Sequence, residues 1–288
     1  MSNSEIFNFQ NTKENQSIIV AQHFEYKSAK KISFILLCVS VVVPIIINVL
    51  ITLDLDNVML GVLALISIIT LIVGEILKYL IDIKKKNAAL LQQYFDLNVF
   101  GLNDYEKVDI DKISELLVKY ERKDWKRKSN WYLNHNENTK NKSIFRCQQE
   151  NLNWTKRVAN KYITLLIISF SILVSVFLIV SVLNQINISS FLLQILSFLP
   201  LGTYVCSGLK KMLSDEKELR DALAFSNQIN DKLYKISDSS LEKKIIILQG
   251  KIYSIRKQRY LVPDWFEFIY YKRFNKIEER KEKINKAK

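Results

Sequence analysis

The sequence predicts an all-α multipass membrane protein, made of two transmembrane helical hairpins and a helical cytoplasmic domain. Four apolar runs reach the roughly 20 residues that cross a bilayer, a short polar turn joins each pair of runs, and basic residues flank them on one side. The alternative is a soluble bundle of four buried helices. A soluble helix needs a polar face, and neither pair of runs carries one over its full length.

The apolar runs divide the chain into membrane and cytoplasmic segments. Asp54 and Asp56 lie in the turn of the first pair, and an Asn-Gln-Ile-Asn turn joins the second pair. We expect transmembrane helices at residues 32–53, 58–81, 163–183 and 188–209. The cytoplasmic segments are then an N-terminal helix at 1–31, a helical region at 82–162 and a helical tail at 210–288.

The basic residues fix the expected orientation. The net charge of +13 would indicate nucleic-acid binding in a soluble protein. Here the cations lie beside the apolar runs, and the two hairpin turns carry no Lys or Arg. By the positive-inside rule, both termini and the middle region are cytoplasmic, and we expect no direct nucleic-acid binding. The flanking cations are Lys27, Lys30, Lys31, Lys84, Lys85, Lys86, Lys156, Arg157, Lys161, Lys210 and Lys211.

Apolar spacing predicts helices in the cytoplasmic segments. Residues 21–30 form a helix that runs into the first span, residues 83–94 continue the second span, and residues 110–120 repeat at helical period. Residues 95–102 are predicted to be extended, as a turn or a short strand. Residues 145–162 form a helix that enters the third span.

The tail carries two apolar stripes. The first, from Leu219 to Ile236, extends the fourth span, and Ser239 with Glu242 has the spacing of a capping box for a second helix. That second helix carries a coiled-coil seam, which we expect to pack on the preceding helix in preference to another chain. Its seam residues are Leu241, Ile245, Leu248, Ile252 and Ile255. The aromatic segment at 263–271 is predicted to lie on the membrane or to clamp the cytoplasmic helices.

Polar side chains inside the spans are the candidates for a pore wall. Small polar residues can face water or can allow close helix packing, and both interpretations stay open. Glu75 can line a polar pathway, or it can pair with Lys78 at the membrane surface. The candidates are Ser40, Asn48, Ser67, Thr70, Glu75, Ser171, Ser175 and Gln194.

A basic and aromatic stretch before the third span is the candidate for a trigger site. Cations interleaved with aromatic rings bind nucleotides or anionic headgroups, although a solvated surface has the same composition. The candidates are Trp125, Lys126, Arg127, Lys128 and Arg146.

The sequence carries no motif for cofactor or metal chemistry. It has no glycine-rich phosphate loop, and its two histidines and three cysteines have no metal-ligand spacing. We therefore predict no enzymatic activity, no cofactor and no metal, with Cys38, Cys147 and Cys206 as free thiols.

The order of several short motifs resembles the S-4TM family of bacterial effectors, which are SMODS-associated four-transmembrane pore-forming proteins. The resemblance covers nearly the whole chain, and it rests on the joint order of motifs that are individually weak. They are Phe9-Gln10-Asn11, Phe95-Asp96-Leu97, Asn130-Trp131-Tyr132, Cys147-Gln148, the stretch from Gln249 to Arg256, and Pro263-Asp264-Trp265.

The resemblance implies an effector of bacterial anti-phage immunity in the inner membrane. Such an effector would oligomerise on an upstream signal, expected to be a cyclic oligonucleotide or contact with its synthase, and would permeabilise the bilayer. The family supplies no established catalytic or ligand residues. Two other interpretations of the chain remain: a membrane-anchored scaffold or sensor, and a small ion channel or transporter.

Overall fold

The computed structural model describes residues 3–51, 56–102, 108–126, 128–133, 135, 137–183, 188–266, 268–270, 273, 276, 277 and 280. The described residues are helical, with connecting turns and no strand among them, which confirms the all-α prediction.

The first half of the chain forms one helical hairpin. Helix α1 (Asn3–Phe9) leads into α2 (Lys13–Leu37), whose N-terminus is capped by Thr12. A π-helical turn at Cys38–Val42 joins α2 to α3 (Val43–Ile51). This wider turn directly precedes Pro44, which has no N–H to donate to the preceding turn.

Helix α4 (Asn57–Phe100) begins at Asp56, whose side chain accepts a hydrogen bond from the Met59 N–H at 2.8 Å. It ends at Gly101, which adopts a left-handed conformation with φ of 63° that favours glycine. The prediction of an extended segment at 95–102 was wrong, because α4 continues through Phe100. The run looked like a strand because Phe95, Leu97 and Phe100 are all buried in the domain core.

The second half contains α5 (Ile110–Tyr120), α6 (Lys140–Leu183), α7 (Ile188–Asp231) and α8 (Asp238–Gln258). The predicted helices at 110–120 and 145–162 are confirmed, the latter as part of α6. The predicted capping box at Ser239 was wrong, because α8 begins at Asp238 and Ser237 occupies the N-cap position. The described residues of the last segment, from Asp264 onward, are helical.

One large hydrophobic core joins α1, α2, α4, α5, α6, α7 and α8, and we call this part the helical domain. Its centre contains Phe95 of α4, Phe145 of α6, Ile229 of α7 and Ile252 of α8. All five seam residues of α8 are buried here, so the seam packs within the chain as predicted. Burying several large apolar side chains, at roughly 1.5–3 kcal/mol each, holds the domain together.

Apolar side chains dominate the exposed surface outside that domain. Within the described residues, the helical stretches Lys13–Ile51 and Asn57–Phe100 are long and apolar enough to cross a membrane. Only 33% and 22% of their most apolar windows are buried, whereas a core helix of a soluble protein is mostly buried. Exposed apolar residues also follow α6, with Ile168, Ile172, Val176 and Ile179 on one face. The structure therefore supports a membrane protein.

Candidate functional site

Four of the predicted pore-wall residues are buried along the first two predicted spans. Ser40, Asn48, Ser67 and Thr70 are exposed by 8% or less, and they belong to the π-helical turn, α3 and α4, which pack against one another. Gly74 of α4 lies beside Ser40, since a Cβ there would lie 3.8 Å from the Ser40 hydroxyl, an ordinary packing distance. We call these four residues the polar seam.

Three of the four residues of the polar seam donate hydrogen bonds to carbonyls of their own helices. Ser67 donates to the Leu63 carbonyl at 3.0 Å, and Thr70 donates to the Ile66 carbonyl at 2.8 Å. The Asn48 amide donates to the Pro44 carbonyl at 2.9 Å. These bonds satisfy three donors in an apolar environment, and the hydroxyls of Ser67 and Thr70 can exchange them for water if the helices separate.

The structure does not bring the other pore candidates into the polar seam. The Glu75 side chain is 71% exposed and pairs with Lys78 at 2.7 Å. Ser171 and Ser175 lie exposed on α6, where the Ser175 hydroxyl donates to the Ser171 carbonyl at 2.9 Å. Gln194 lies in α7, and its side chain is outside the described part of the chain.

The trigger candidates are dispersed. The ring of Trp125 stacks on His23 of α2, with centroids 4.1 Å apart and planes at 8°. Lys126 is exposed, Lys128 pairs with Asp124, and Arg127 lies outside the described residues.

Arg146 has partners elsewhere in the helical domain. Its Nε donates to Glu137 at 2.8 Å, and its Nη1 donates to Asn230 at 2.8 Å. The guanidinium is therefore engaged by α7 and by the turn before α6. We call the predicted trigger residues the trigger patch. Within the described residues, its accessible part is the stretch around Trp125 and Lys126.

A buried polar network, which sequence reasoning did not single out, lies at the centre of the helical domain. Asp96 of α4 is 1% exposed, and its Oδ2 accepts from Arg256 Nη1 at 2.6 Å and from Gln249 Nε2 at 2.9 Å. Its Oδ1 accepts from the Tyr132 hydroxyl at 2.7 Å. Three hydrogen bonds, one from the charged Arg256 and two from the neutral donors Gln249 and Tyr132, thus satisfy one buried carboxylate.

The network connects α4, α6 and α8 with the turn before α2. The Gln249 amide also donates to Gln93 at 2.8 Å and accepts from Gln148 of α6 at 3.0 Å. Gln10, just before α2, bonds both backbone groups of Tyr132, at 3.1 and 2.8 Å. We call this set the Asp96 network.

Burial and the charge of Asp96 act in the same direction on the pKa of Tyr132 and in opposite directions on the pKa of Arg256. Burial, together with the charge of Asp96, raises the pKa of the Tyr132 hydroxyl well above its usual range, so that it stays a donor. Burial alone would lower the pKa of Arg256, but Asp96 outweighs burial and raises it. Arg256 therefore stays ionised at physiological pH.

The residues of the Asp96 network come from the same motifs that carry the family resemblance. Gln10, Asp96, Tyr132, Gln148, Gln249 and Arg256 all belong to those motifs. A second signal was present in the sequence. Asp96 lies between apolar residues that are buried on both sides, and Gln249 and Arg256 lie seven apart on one face of α8.

A second buried acid ties three helices together near the membrane end of the domain. Glu25 of α2 is fully buried, and it accepts from Lys119 Nζ and the Tyr120 hydroxyl of α5, both at 2.6 Å. Lys84 of α4 lies 3.4 Å away. Burial would raise the pKa of Glu25, but the bonds from Lys119 and Tyr120 outweigh it and lower the pKa. Its stabilising effect is therefore lost only when the pH falls below the usual range of a carboxyl.

A third cluster lies just below the ends of the second and fourth predicted spans. Lys85 is 2% exposed and donates to Asp82 and to the Gln258 carbonyl, both at 3.0 Å. Lys211 of α7 donates to the same Asp82 at 2.9 Å. Asp215 accepts from the Tyr260 N–H at 2.8 Å. This cluster joins α4, α7 and the segment after α8.

The third cluster contains groups that titrate near neutral pH. Burial and the neighbouring Lys211 lower the pKa of Lys85 to about 8. Burial raises the pKa of Asp215 to about 6, so ionisation of Asp215 weakens the fold as the pH rises through about 6. Asp215 also lines a cavity of about 30 Å³, which has room for a water molecule.

In the part of the chain that the structure describes, no group of three His, Cys, Asp or Glu side chains could hold a metal ion. His135 lies 3.0 Å from Glu150, and the three cysteines are free thiols.

Comparison with known proteins gives one match. Residues 4–287 match a family model described as the SMODS-associating 4TM effector domain. No curated protein and no solved structure matches the chain.

Proposed function

Because the chain belongs to the SMODS-associating 4TM effector family, we propose that it is a pore-forming effector that permeabilises the bacterial inner membrane in response to an upstream nucleotide signal. The family links the chain to a nucleotide-signalling pathway and to the membrane. Pore formation, the identity of the signal and the arrest of an infected cell are the parts that we add.

The proposed topology has four spans, with both termini and the helical domain in the cytoplasm. Its first support is the exposed apolar surface on α3, α4 and α6, which water would penalise and lipid would accept. Its second support is the absence of Lys and Arg from both hairpin turns, as the positive-inside rule requires.

The observation that carries the proposal is the continuity of three helices. Helices α4, α6 and α7 each extend over 44 residues, about 66 Å at 1.5 Å per residue. Each passes from a predicted span into the helical domain without a loop. A rearrangement of the domain would therefore move the spans directly.

The polar seam is the proposed pore wall. In the isolated chain it is covered by protein, and the hydroxyls of Ser67 and Thr70 bond to their own helices. Four spans are too few to enclose a wide aqueous channel, so we propose that copies of the chain assemble around these polar faces. The exposed residues Ser171 and Ser175 would contribute from α6.

The proposed trigger is a cyclic oligonucleotide, or its synthase, acting on the accessible part of the trigger patch. Lys126 supplies an exposed cation beside the stacked rings of Trp125 and His23. A base could stack on these rings, and a phosphate could pair with the lysine.

Dye release from liposomes tests the proposal. The purified full chain, reconstituted in liposomes, should release a trapped dye when a matching member of a panel of synthetic cyclic oligonucleotides is added. A transporter would move a single solute, and a scaffold would release nothing with any member of the panel or with its synthase. Either of these outcomes would contradict pore formation.

Replacing the polar seam should reduce this release. The variants Ser67→Leu and Thr70→Val remove hydroxyls that would face water in the proposed pore. We therefore expect the triggered release rate to fall severalfold. The matched control is Ser114→Leu on the exposed surface of α5, which should leave the release unchanged. Equal release from the seam variants and the control would remove the seam from the pore wall. The same comparison applies to Glu75→Gln and to Ser171→Leu with Ser175→Leu.

A further inference from the structure

The described residues between 264 and 280 are helical, and they divide into packed and exposed positions. Its packed face contains Phe266, Tyr270 and Ile277, which belong to a small core with Val158, Tyr162, Met212 and Val262. At about 100° per residue, these three positions fall within one narrow sector of the helix.

The exposed face changes from apolar to basic along the helix. Trp265, Phe268 and Ile269 are 58%, 63% and 61% exposed. Arg273, Lys276 and Arg280 follow along the segment and are exposed as well, with Lys276 in line with Trp265 and the two arginines nearer the packed face. We call these six residues the outer face.

The packing partners of this segment determine the depth of the outer face relative to the predicted spans. Tyr162 and Met212 lie directly beside the predicted ends of the third and fourth spans. Lys30, two residues before the first predicted span, pairs with Asp264 at 2.5 Å. The helix is therefore attached at both sides to residues that lie where the spans leave the hydrocarbon.

We propose that the outer face docks on the anionic cytoplasmic leaflet of the bilayer. Trp265, Phe268 and Ile269 insert at the boundary between headgroups and acyl chains, where indole and apolar side chains are favoured. Arg273, Lys276 and Arg280 pair with anionic headgroups. The inference rests on the proposed membrane topology, and it adds a lipid contact that the four spans do not require.

Charge and composition select this occupant over a second copy of the chain. Three cations follow the apolar residues, and each basic residue near an anionic leaflet contributes roughly a fivefold preference for it. The outer face carries three cations of its own, so docking it on the same face of a second copy would bring like charges together.

Fluorescence quenching by brominated lipid tests the docking. The full chain is reconstituted in vesicles of phosphatidylcholine with or without phosphatidylglycerol, and flotation first shows whether the chain is membrane-bound. We expect brominated acyl chains to quench a component of the tryptophan emission that Trp265→Phe removes. Trp125→Phe, which alters the ring stacked on His23, should leave that component in place.

The contribution of the basic residues to the docking is tested by a matched pair of double variants. Arg273→Gln with Lys276→Gln should reduce the quenching in vesicles that contain phosphatidylglycerol, whereas Lys232→Gln with Lys235→Gln, equally exposed and equal in charge, should not. A chain that floats but gives no Trp265 quenching, or equal quenching with and without phosphatidylglycerol, would overturn the docking alone. A chain that does not float would instead contradict the proposed function.

Discussion

Replacing Arg256 with methionine is expected to lower the free energy of unfolding by about 3–5 kcal/mol. The substitution removes the cation from the Asp96 network and leaves a buried carboxylate with only neutral donors, Tyr132 and Gln249. A buried charge without its partner is among the costliest single defects in a folded protein. Thermal or chemical unfolding of the detergent-solubilised chain measures the effect.

Two further variants separate the ion pair from general damage. Asp96→Asn combined with Arg256→Met should recover much of the loss, because both charges are then absent. Lys112→Met breaks the exposed pair between Lys112 and Glu115, and it should cost at most about 1 kcal/mol. A cost for Arg256→Met no larger than that for Lys112→Met would contradict the structural role of the network.

Introducing arginine at Ile72 is expected to impair membrane insertion by about 2.5–3.5 kcal/mol. Ile72 lies near the middle of the second predicted span and is 58% exposed, so the proposed topology places it against lipid. A guanidinium at that depth must reach for the headgroups or stay unsolvated. The fraction of the chain that resists alkaline extraction from membranes measures the loss.

The matched control for this variant is Val118→Arg. Val118 is 73% exposed on α5 of the helical domain, where we expect water, so an arginine there should change stability by no more than about 0.5 kcal/mol. A soluble bundle would tolerate arginine equally at both sites. Equal membrane retention of the two variants would therefore contradict a lipid-facing α4.

The helices of this chain follow from its sequence where the apolar pattern is long. The period of Ile113, Leu116 and Leu117 predicts α5 with the bounds that the structure has. The prediction for residues 95–102 failed because Phe95 to Val99 alternates between apolar and polar residues, which is the period of a strand. Only the surrounding helices show that Asp96 is buried together with its apolar neighbours. The prediction of the N-terminus of α8 failed because the sequence has several neighbouring serines, and any of them can cap a helix.

The candidate site was predictable only in part. The angular spacing of Ser40, Asn48, Ser67 and Thr70 places them on the facing sides of two adjacent helices, and the structure buries all four. The Asp96 network depends on contacts between residues 153 to 160 positions apart, such as those to Gln249 and Arg256. Sequence spacing along one helix does not determine which distant helix packs against it. Arg146 shows the same limit, since its partner Asn230 lies 84 positions away.

The proposed topology is tested most directly by measuring on which side of the membrane the first hairpin turn lies. Asn57 is exposed at the start of α4, and a chain with Asn57→Cys, in a background of Cys38→Ser and Cys206→Ser, presents a thiol there. A membrane-impermeant maleimide should label this thiol in intact spheroplasts, whereas Lys243→Cys in the helical domain should react only after lysis. Labelling of Lys243→Cys in intact spheroplasts, or protection of Asn57→Cys until lysis, would contradict a chain that crosses the bilayer with its helical domain in the cytoplasm.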